Sequence, residues 1–443
     1  MSESVVHVVG AGLAGSEAAY FLAERGIRVL LHEMRPGRMT EAHKTSQCAE
    51  LVCSNSFKSK SPVSAPGMLK AEMTQMGSLV LKMAEKSSVP GGEALAVDRE
   101  VFSGLISGAI DNHRLITRVS EEVAQPFLDS PTILATGPLT SDTLCSWISS
   151  ATGVEDLYFY DAIAPIIETS SIDMENAFLA NRYDKGEEEA YLNCPMNEEQ
   201  YNAFVDALIA GEKVAPKDFE KEKFFAGCQP IEAICATGRD SLRYGPMKPV
   251  GLNDPKTGKR HYAVVQLRPE NRAKTAYNMV GFQTKLKYGE QSRVFRLIPA
   301  LRSAEFLRMG SIHRNTFVCG PKVLRADLSL KGKPLVYLAG QITGVEGYLE
   351  SAACGLLAAQ FVEQRIKGRP HSAPPGNTSM GALLRYVTSS DDKNYQPQNA
   401  NFSLFDVNLF DGVAELKRDQ AREEMAKQAR RNFNQWLTSQ GAS

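Results

Sequence analysis

The chain has no net charge to speak of, no apolar run of membrane-spanning length and no clustered cysteines, and each absence closes off a class of protein. With 50 Lys+Arg against 51 Asp+Glu the formal net charge is −1, so overall charge names no partner. No basic leader followed by an apolar core stands at the start, and no stretch reaches the length a bilayer demands. The first apolar strand begins at Val5, which leaves no room for a transit peptide. Eight cysteines are scattered through 443 residues, in a chain too large to need disulfide staples. A cytoplasmic protein with reduced thiols is expected, with neither membrane nor metal among its partners. The 43% apolar and 23% charged residues fit a globular chain of two or three domains.

What is present is concentrated in the first thirty-five residues. Val5 to Val9 reads as a short buried strand, and Gly10-Ala11-Gly12-Leu13-Ala14-Gly15 follows at once. Ser16 to Arg25 continues with helical apolar spacing, Gly26 ends that helix, Ile27 to Leu31 reads as a second strand, and Glu33 stands at its end. Strand, G-x-G-x-x-G, helix, strand, acid is a dinucleotide-binding unit. Gly10 permits the tight turn, Gly12 lets the backbone approach a pyrophosphate, and Gly15 lets helix and strand pack closely. The helix N-terminus faces the phosphates, and Glu33 is expected to accept hydrogen bonds from the adenosine ribose. Whether the ligand is FAD or NAD is not decided by this stretch.

Further along, residues 36–66 read as a functional loop carrying Cys48 and Cys53, and Met68 to Lys86 reads as one helix. Thr132 to Pro138 is an apolar strand ending in Ala-Thr-Gly137. Leu335 to Gly340 is another, running through Gln341, Gly344, Val345 and Glu346 into a helix from Tyr348 to Ile366. Three strand-to-glycine punctuations resemble flavoproteins of the glutathione reductase type, in which the last strand brings a glycine and a helix N-terminus to the flavin. That likeness favours FAD. No second G-x-G-x-x-G occurs, so a dedicated nicotinamide domain is not expected. The fold class expected is α/β: a Rossmann-like FAD-binding domain formed by residues 1–165 and 306–443, interrupted by an α+β insertion at 166–305. Val413 to Leu437 reads as an amphipathic helix that packs on the body.

The insertion is split in charge. Residues 151–235 hold 18 acidic and 6 basic residues, whereas 236–325 hold 18 basic and 5 acidic ones. The basic half interleaves Tyr244, Tyr262, Tyr277, Phe282, Tyr288 and Phe295. Two readings stand: a polyanion-binding surface with aromatics that stack on unpaired bases, or two halves that neutralise each other around a β-sheet core. Cys48 and Cys53 form a C-x-x-x-x-C, which admits a rival enzyme class, a flavin-dependent disulfide oxidoreductase. Cys228 stands at the seam of the two charge blocks. Cys145, Cys235, Cys319 and Cys354 read as small buried hydrophobes.

Several segments together resemble one family. Gly10 to Ala19, Glu33-Met34-Arg35-Pro36, Val52-Cys53-Ser54-Asn55-Ser56, Tyr191 to Met196, Gly245 to Leu252, Ala263 to Arg268, His313 to Thr316 and Gly344 to Ala353 resemble the TrmFO family of folate- and FAD-dependent tRNA uracil-5-methyltransferases. The larger GidA proteins share the glycine fingerprint but carry a C-terminal extension that this chain lacks. The resemblance implies FAD as cofactor, 5,10-methylenetetrahydrofolate as one-carbon donor, NAD(P)H as a transiently bound reductant, and carbon 5 of a T-loop uridine in tRNA as the target. A branch acting on ribosomal RNA is the alternative within the family. It implies two working cysteines, Cys53 and Cys228. Cys228 is expected to attack carbon 6 of the uracil, and Cys53 to handle the proton or the methylene. Lys248, Arg268, His313, Arg314 and Tyr348 are candidates for substrate contacts.

Overall fold

The computed structural model describes residues 5–154, 157–184, 190–214, 229–393 and 395–441, with backbone alone for 157–161 and 312–314. Two six-stranded sheets organise it. In the first, the strands run in the order Ser329–Leu330, Lys333–Leu338, Thr132–Leu134, Val5–Val9, Arg28–Glu33, Ile116–Ser120. All neighbours are parallel except the first pair. Val5–Val9 lies inside the sheet, with Val6 and Val8 fully buried. Covered faces explain why its strands are near-continuous apolar runs. Three neighbouring strands end at Gly10, at Gly137 and at Gly340, so their carboxyl ends open one crevice, where open α/β sheets bind ligands.

The fingerprint turn follows from crowding. Gly10 sits at φ +96°, and a Cβ there would lie 2.7 Å from the Ala135 carbonyl oxygen. A Cβ on Gly15 would lie 1.8 Å from the Gly10 carbonyl oxygen. The helix Leu13–Glu24 then packs on the long helix Tyr348–Ile366.

Three expectations needed revision. Met68 to Lys86 is two helices, Ala65–Gln75 and Leu79–Lys86. Gly77 turns left-handed at φ +85°, the Ser78 hydroxyl accepts from the Leu81 N–H, and the buried Glu17 carboxylate accepts from the N–H groups of Leu79 and Val80. The second helix is thus capped twice, which outweighs continuous helical spacing. The 36–66 segment contains a strand, Ser56–Ser59, paired antiparallel with Ala94–Val97. The last helix is Arg418–Gly441, starting five residues later than expected; Met425, Ala429 and Phe433 are its buried face, while Leu416 precedes it and is exposed.

The second sheet is antiparallel, in the order Phe178–Leu179, Leu192–Met196, Ala263–Pro269, Ala276–Met279, Ile166–Glu168, Phe306–Arg308. Its core holds Tyr201, Phe204, Tyr277, Phe282 and Phe295. Of the aromatics in the basic half, those last three are therefore core and Tyr262 lies under the Arg243 guanidinium, 3.6 Å away. Tyr244 and Tyr288 are exposed, at 82% and 62%. A two-stranded ribbon, Leu157–Ile163 with Ser311–Phe317, runs between the segments that build the two sheets.

Candidate active site

The crevice is lined by Gly10, Gly12, Leu13, Ala14, Glu33, Arg35, Gly137, Gly340 and Gln341 among others. Gly12 caps the helix Leu13–Glu24 and supplies no side-chain acceptor, so the first helical N–H groups face the crevice uncapped. Nothing lies within 4 Å of the position its Cβ would take. Packing demands Gly10 and Gly15, but only a ligand in the crevice gives Gly12 a reason. An uncapped helix N-terminus, an open glycine and a buried acid at the next strand end fit the pyrophosphate and ribose of FAD.

Glu33 is more occupied than its expected role implies. It accepts from the Ala11 N–H at 2.9 Å and from the Arg35 backbone and guanidinium at 2.9–3.2 Å. Arg35 also reaches Glu50, at 3.2 Å. Burial alone would raise the Glu33 pKa; the Arg35 hydrogen bond and charge and the two backbone N–H groups outweigh it, and the carboxyl sits below its ordinary value. Glu33 is thus a fixed anion, with lone pairs left for hydroxyl donors.

A second cavity of about 300 Å³ adjoins the crevice, sharing Val52, Pro138, Leu139, Gln341 and Tyr348 with it. Cys53, Lys58, Glu346 and Asn315 also line it. The Tyr348 hydroxyl accepts from the Cys53 N–H at 2.7 Å and from the Ser54 N–H at 3.2 Å. Burial lifts the Tyr348 phenol well above its usual value, so it keeps its proton. Lys58 Nζ donates to Glu350 Oε1 at 2.7 Å, and Gln341 Nε2 donates to Glu346 Oε2 at 2.6 Å.

The other expected residues are dispersed. Ala11 and Gly15 are buried behind the turn. Val345 is in the core, and a Cβ on Gly344 would meet Tyr395, so neither lines a cavity through a side chain. Arg268 is buried under the Cys53 loop, its Nε donating to Asn55 Oδ1 at 2.8 Å. Lys248 is half-buried and lines neither cavity. His313 and Arg314 lie on the strand Ser311–Phe317, but their side chains are outside the described residues, as is Cys228 entirely. Cys48 is fully buried, its thiol 3.5 Å from Arg118 Nη1, and burial raises its pKa despite that cation. Both Cys48 and Cys53 are free thiols: one is sealed in the core and the other faces a cavity, an arrangement that does not suit a redox pair. Cys235, Cys319 and Cys354 are buried as expected, and Cys145 is half-buried. Sequence reasoning passed over Lys58, Arg99, Glu270 and Arg308 around Cys53, because each stands alone in an ordinary context and only the tertiary fold gathers them.

Fold and crevice together define an α/β protein of the FAD-binding dinucleotide class. Residues 5–370 match the family model of glucose inhibited division protein A. The chain is 53% identical over 405 residues to the methylenetetrahydrofolate–tRNA-(uracil-5-)-methyltransferase TrmFO of Bacillus cytotoxicus, covering 91% of this chain and 93% of that one. It is 54% identical over 402 residues to TrmFO of Rhizorhabdus wittichii, with 90% of each covered. The chain belongs to the TrmFO family. Its fold is similar to that of Aquifex aeolicus GidA, with a TM-score of 0.68 at 16% identity, over 98% of this chain and 76% of the other. No helix among the described residues is long and apolar enough to cross a membrane, and no group of three or more His, Cys, Asp or Glu among them could hold a metal.

Proposed function

We propose that the protein methylates carbon 5 of the T-loop uridine of tRNA in the cytoplasm, drawing the one-carbon unit from 5,10-methylenetetrahydrofolate. The observation that carries this reading is a cavity lined by Cys53 that adjoins a dinucleotide crevice, in a chain 50–54% identical to enzymes named for that reaction. Gly10 to Ala14, Glu33, Gly137 and Gly340 would hold FAD, which would supply the one-carbon carrier and the reducing chemistry, with NAD(P)H as the reductant.

The chain's own residues do the rest. Uracil carbon 5 becomes a nucleophile only when an electron pair enters at carbon 6, and the Cys228 thiolate supplies that pair. Once carbon 5 carries its new carbon, its proton leaves and the thiolate is expelled, which restores the carbon 5–carbon 6 double bond. Cys53 takes that proton or manages the methylene unit. Tyr348 holds the Cys53 backbone and keeps an O–H for the cavity. Residues 1–165 and 306–443 form the cofactor domain and 166–305 the RNA-facing domain, with the strand Phe306–Arg308 added to the latter's sheet.

A T-loop RNA bearing 5-fluorouridine tests the assignment. Fluorine cannot leave as a cation, so a denaturation-resistant protein–RNA adduct should accumulate and be absent from Cys228→Ala. An adduct lost from Cys53→Ala alone would reverse the two roles. Methylation of a ribosomal RNA fragment but not of unmodified tRNA would redirect the substrate within the family.

A further inference from the structure

The loop Leu51–Asn55 is bolted from several directions, yet the Cys53 thiol enters none of the bonds. Arg99, at the start of the helix Arg99–Asp111, donates from Nη1 to the Leu51 carbonyl at 2.9 Å and from Nη2 to the Cys53 carbonyl at 3.2 Å. Arg308 donates from Nη1 to the Val52 carbonyl at 3.0 Å and from Nη2 to the Cys53 carbonyl at 3.4 Å. Tyr348 accepts from the Cys53 N–H through its hydroxyl. Among the described residues Cys53 Sγ has no hydrogen-bond partner, and it lines the cavity.

The origin of these groups matters. Arg308 ends the strand Phe306–Arg308 of the second sheet. Glu270 follows the strand Ala263–Pro269 of that same sheet and holds Arg99, with Nε 2.6 Å from Oε2 and Nη2 3.1 Å from Oε1. Arg99 pairs with this carboxylate, Arg308 has it only as a nearby opposite charge, and the buried Nε of Arg308 has no acceptor among the described residues. Burial beside Arg99 pushes the Arg308 pKa down to about 10, which still leaves it charged. Such an under-compensated, largely desolvated cluster, with Glu270 buried and both arginines half-buried, is costly as pure scaffolding. Each guanidinium grips two carbonyls of one loop with its planar fork, Arg99 those of Leu51 and Cys53 and Arg308 those of Val52 and Cys53, which an ammonium cannot imitate.

We propose that Arg308 and the Arg99–Glu270 pair are positioning residues that hold the Cys53 carbonyl and so fix the thiol's place in the cavity, registering it to the RNA-facing sheet. This rests on the reading of Cys53 as part of the methylating site. None of the three is a catalytic residue: Arg99 and Arg308 act through the Cys53 backbone, and Glu270 acts through Arg99.

Two readouts separate this from a structural role, and one needs no substrate. The rate of Cys53 alkylation by iodoacetamide, read by peptide mass spectrometry on the FAD-loaded protein, should rise severalfold in Arg308→Lys and Glu270→Gln as the loop loosens. In the methylation assay both should lose between about tenfold and 100-fold in kcat, the scale of a roughly 1 Å misplacement, with KM for tRNA and flavin content held within about twofold. Wild-type alkylation together with wild-type kcat in Arg308→Lys would overturn the proposal. So would a raised KM with unchanged kcat, which would make Arg308 an RNA contact. Should Arg308→Lys fail to keep its flavin, Arg99→Lys is read in the same two assays with the same expectations. If the wild-type protein methylates no RNA, the functional reading fails, and the alkylation arm still decides the positioning role.

Discussion

Replacing Gly355 is the most direct way to test whether the cofactor crevice depends on the packing of two helices. Gly355 is buried in the middle of the helix Tyr348–Ile366. A Cβ there would stand 2.2 Å from the Ala14 carbonyl oxygen and 2.9 Å from its Cα. Non-bonded heavy atoms settle at about 3.5 Å, so even alanine must drive the helices apart by ~1 Å. Alanine gains about 1 kcal/mol over glycine in a helix interior, whereas overpacking a core costs about 1–3 kcal/mol, so the cost wins. The displacement also reaches function. Ala14 lines the crevice, and a Cβ on Gly340 would lie 2.8 Å from the Ala14 Cβ, so moving Ala14 moves the helix N-terminus away from the phosphates. Gly355→Ala should lower the melting temperature by a few degrees and weaken FAD retention, and Gly355→Val should lose most of the flavin. Gly104 is the control: it is exposed on the helix Arg99–Asp111 with nothing within 4 Å of its Cβ position, so Gly104→Ala should stabilise by up to about 1 kcal/mol. Thermal melts and visible absorbance after desalting read both effects. A Gly355→Ala protein that melts at or above wild type with full flavin would refute the reasoning.

Gly12→Val should fold normally but purify colourless, because its side chain projects into the crevice rather than into the protein; wild-type flavin content would remove the pyrophosphate from that spot. Burial raises the carboxyls of Glu17 and Glu72 from 4.5 to about 7 and about 8, despite the helix N–H groups each one caps. Their protonated forms favour the fold, so that contribution is full below about pH 4.5 and is lost as pH rises through 7 and 8; Glu72→Gln should flatten the fall in melting temperature over that range. Binding of tRNA should weaken steeply with salt, and Lys259→Ala/Arg260→Ala, on an exposed turn of the basic half, should reduce that slope, as titration at several ionic strengths would reveal. Cys48→Ala should leave methylation intact while lowering the melting temperature, since it empties a core position.

The dinucleotide unit was legible because local rules and tertiary demands agree there. Gly10 and Gly15 are required by contacts under 3 Å, and the strand ends follow from the apolar runs around them. The break at Gly77 was not legible, because its decisive partner is Glu17, sixty residues away and itself hidden in a helical apolar pattern. The surroundings of Cys53 were invisible for the same reason: Arg99, Glu270 and Arg308 meet only when the start of the helix Arg99–Asp111 comes against the second sheet.

The charge split teaches a sharper lesson. As a count, the basic half looks like one RNA-binding surface. In three dimensions its charges have separate uses. Arg239 pairs with Asp206 at 2.5 Å and Lys287 with Glu212 at 2.8 Å, so part of the bias is neutralised across the seam. Those pairs are exposed, and exposed pairs contribute little to stability, so a phosphate could compete for either cation. Arg268 and Arg308 are different: they are committed to Ser54, Asn55 and the carbonyls of Val52 and Cys53. The same run of cations that would meet RNA on the outside thus also reaches inward to hold the loop that carries Cys53. A salt titration weakens the first group and leaves the second untouched, because buried pairs are screened far less than exposed ones. Ionic strength should therefore raise KM for tRNA while leaving kcat at saturating RNA nearly constant, and a parallel loss of kcat would mean that the two groups of cations are not separable.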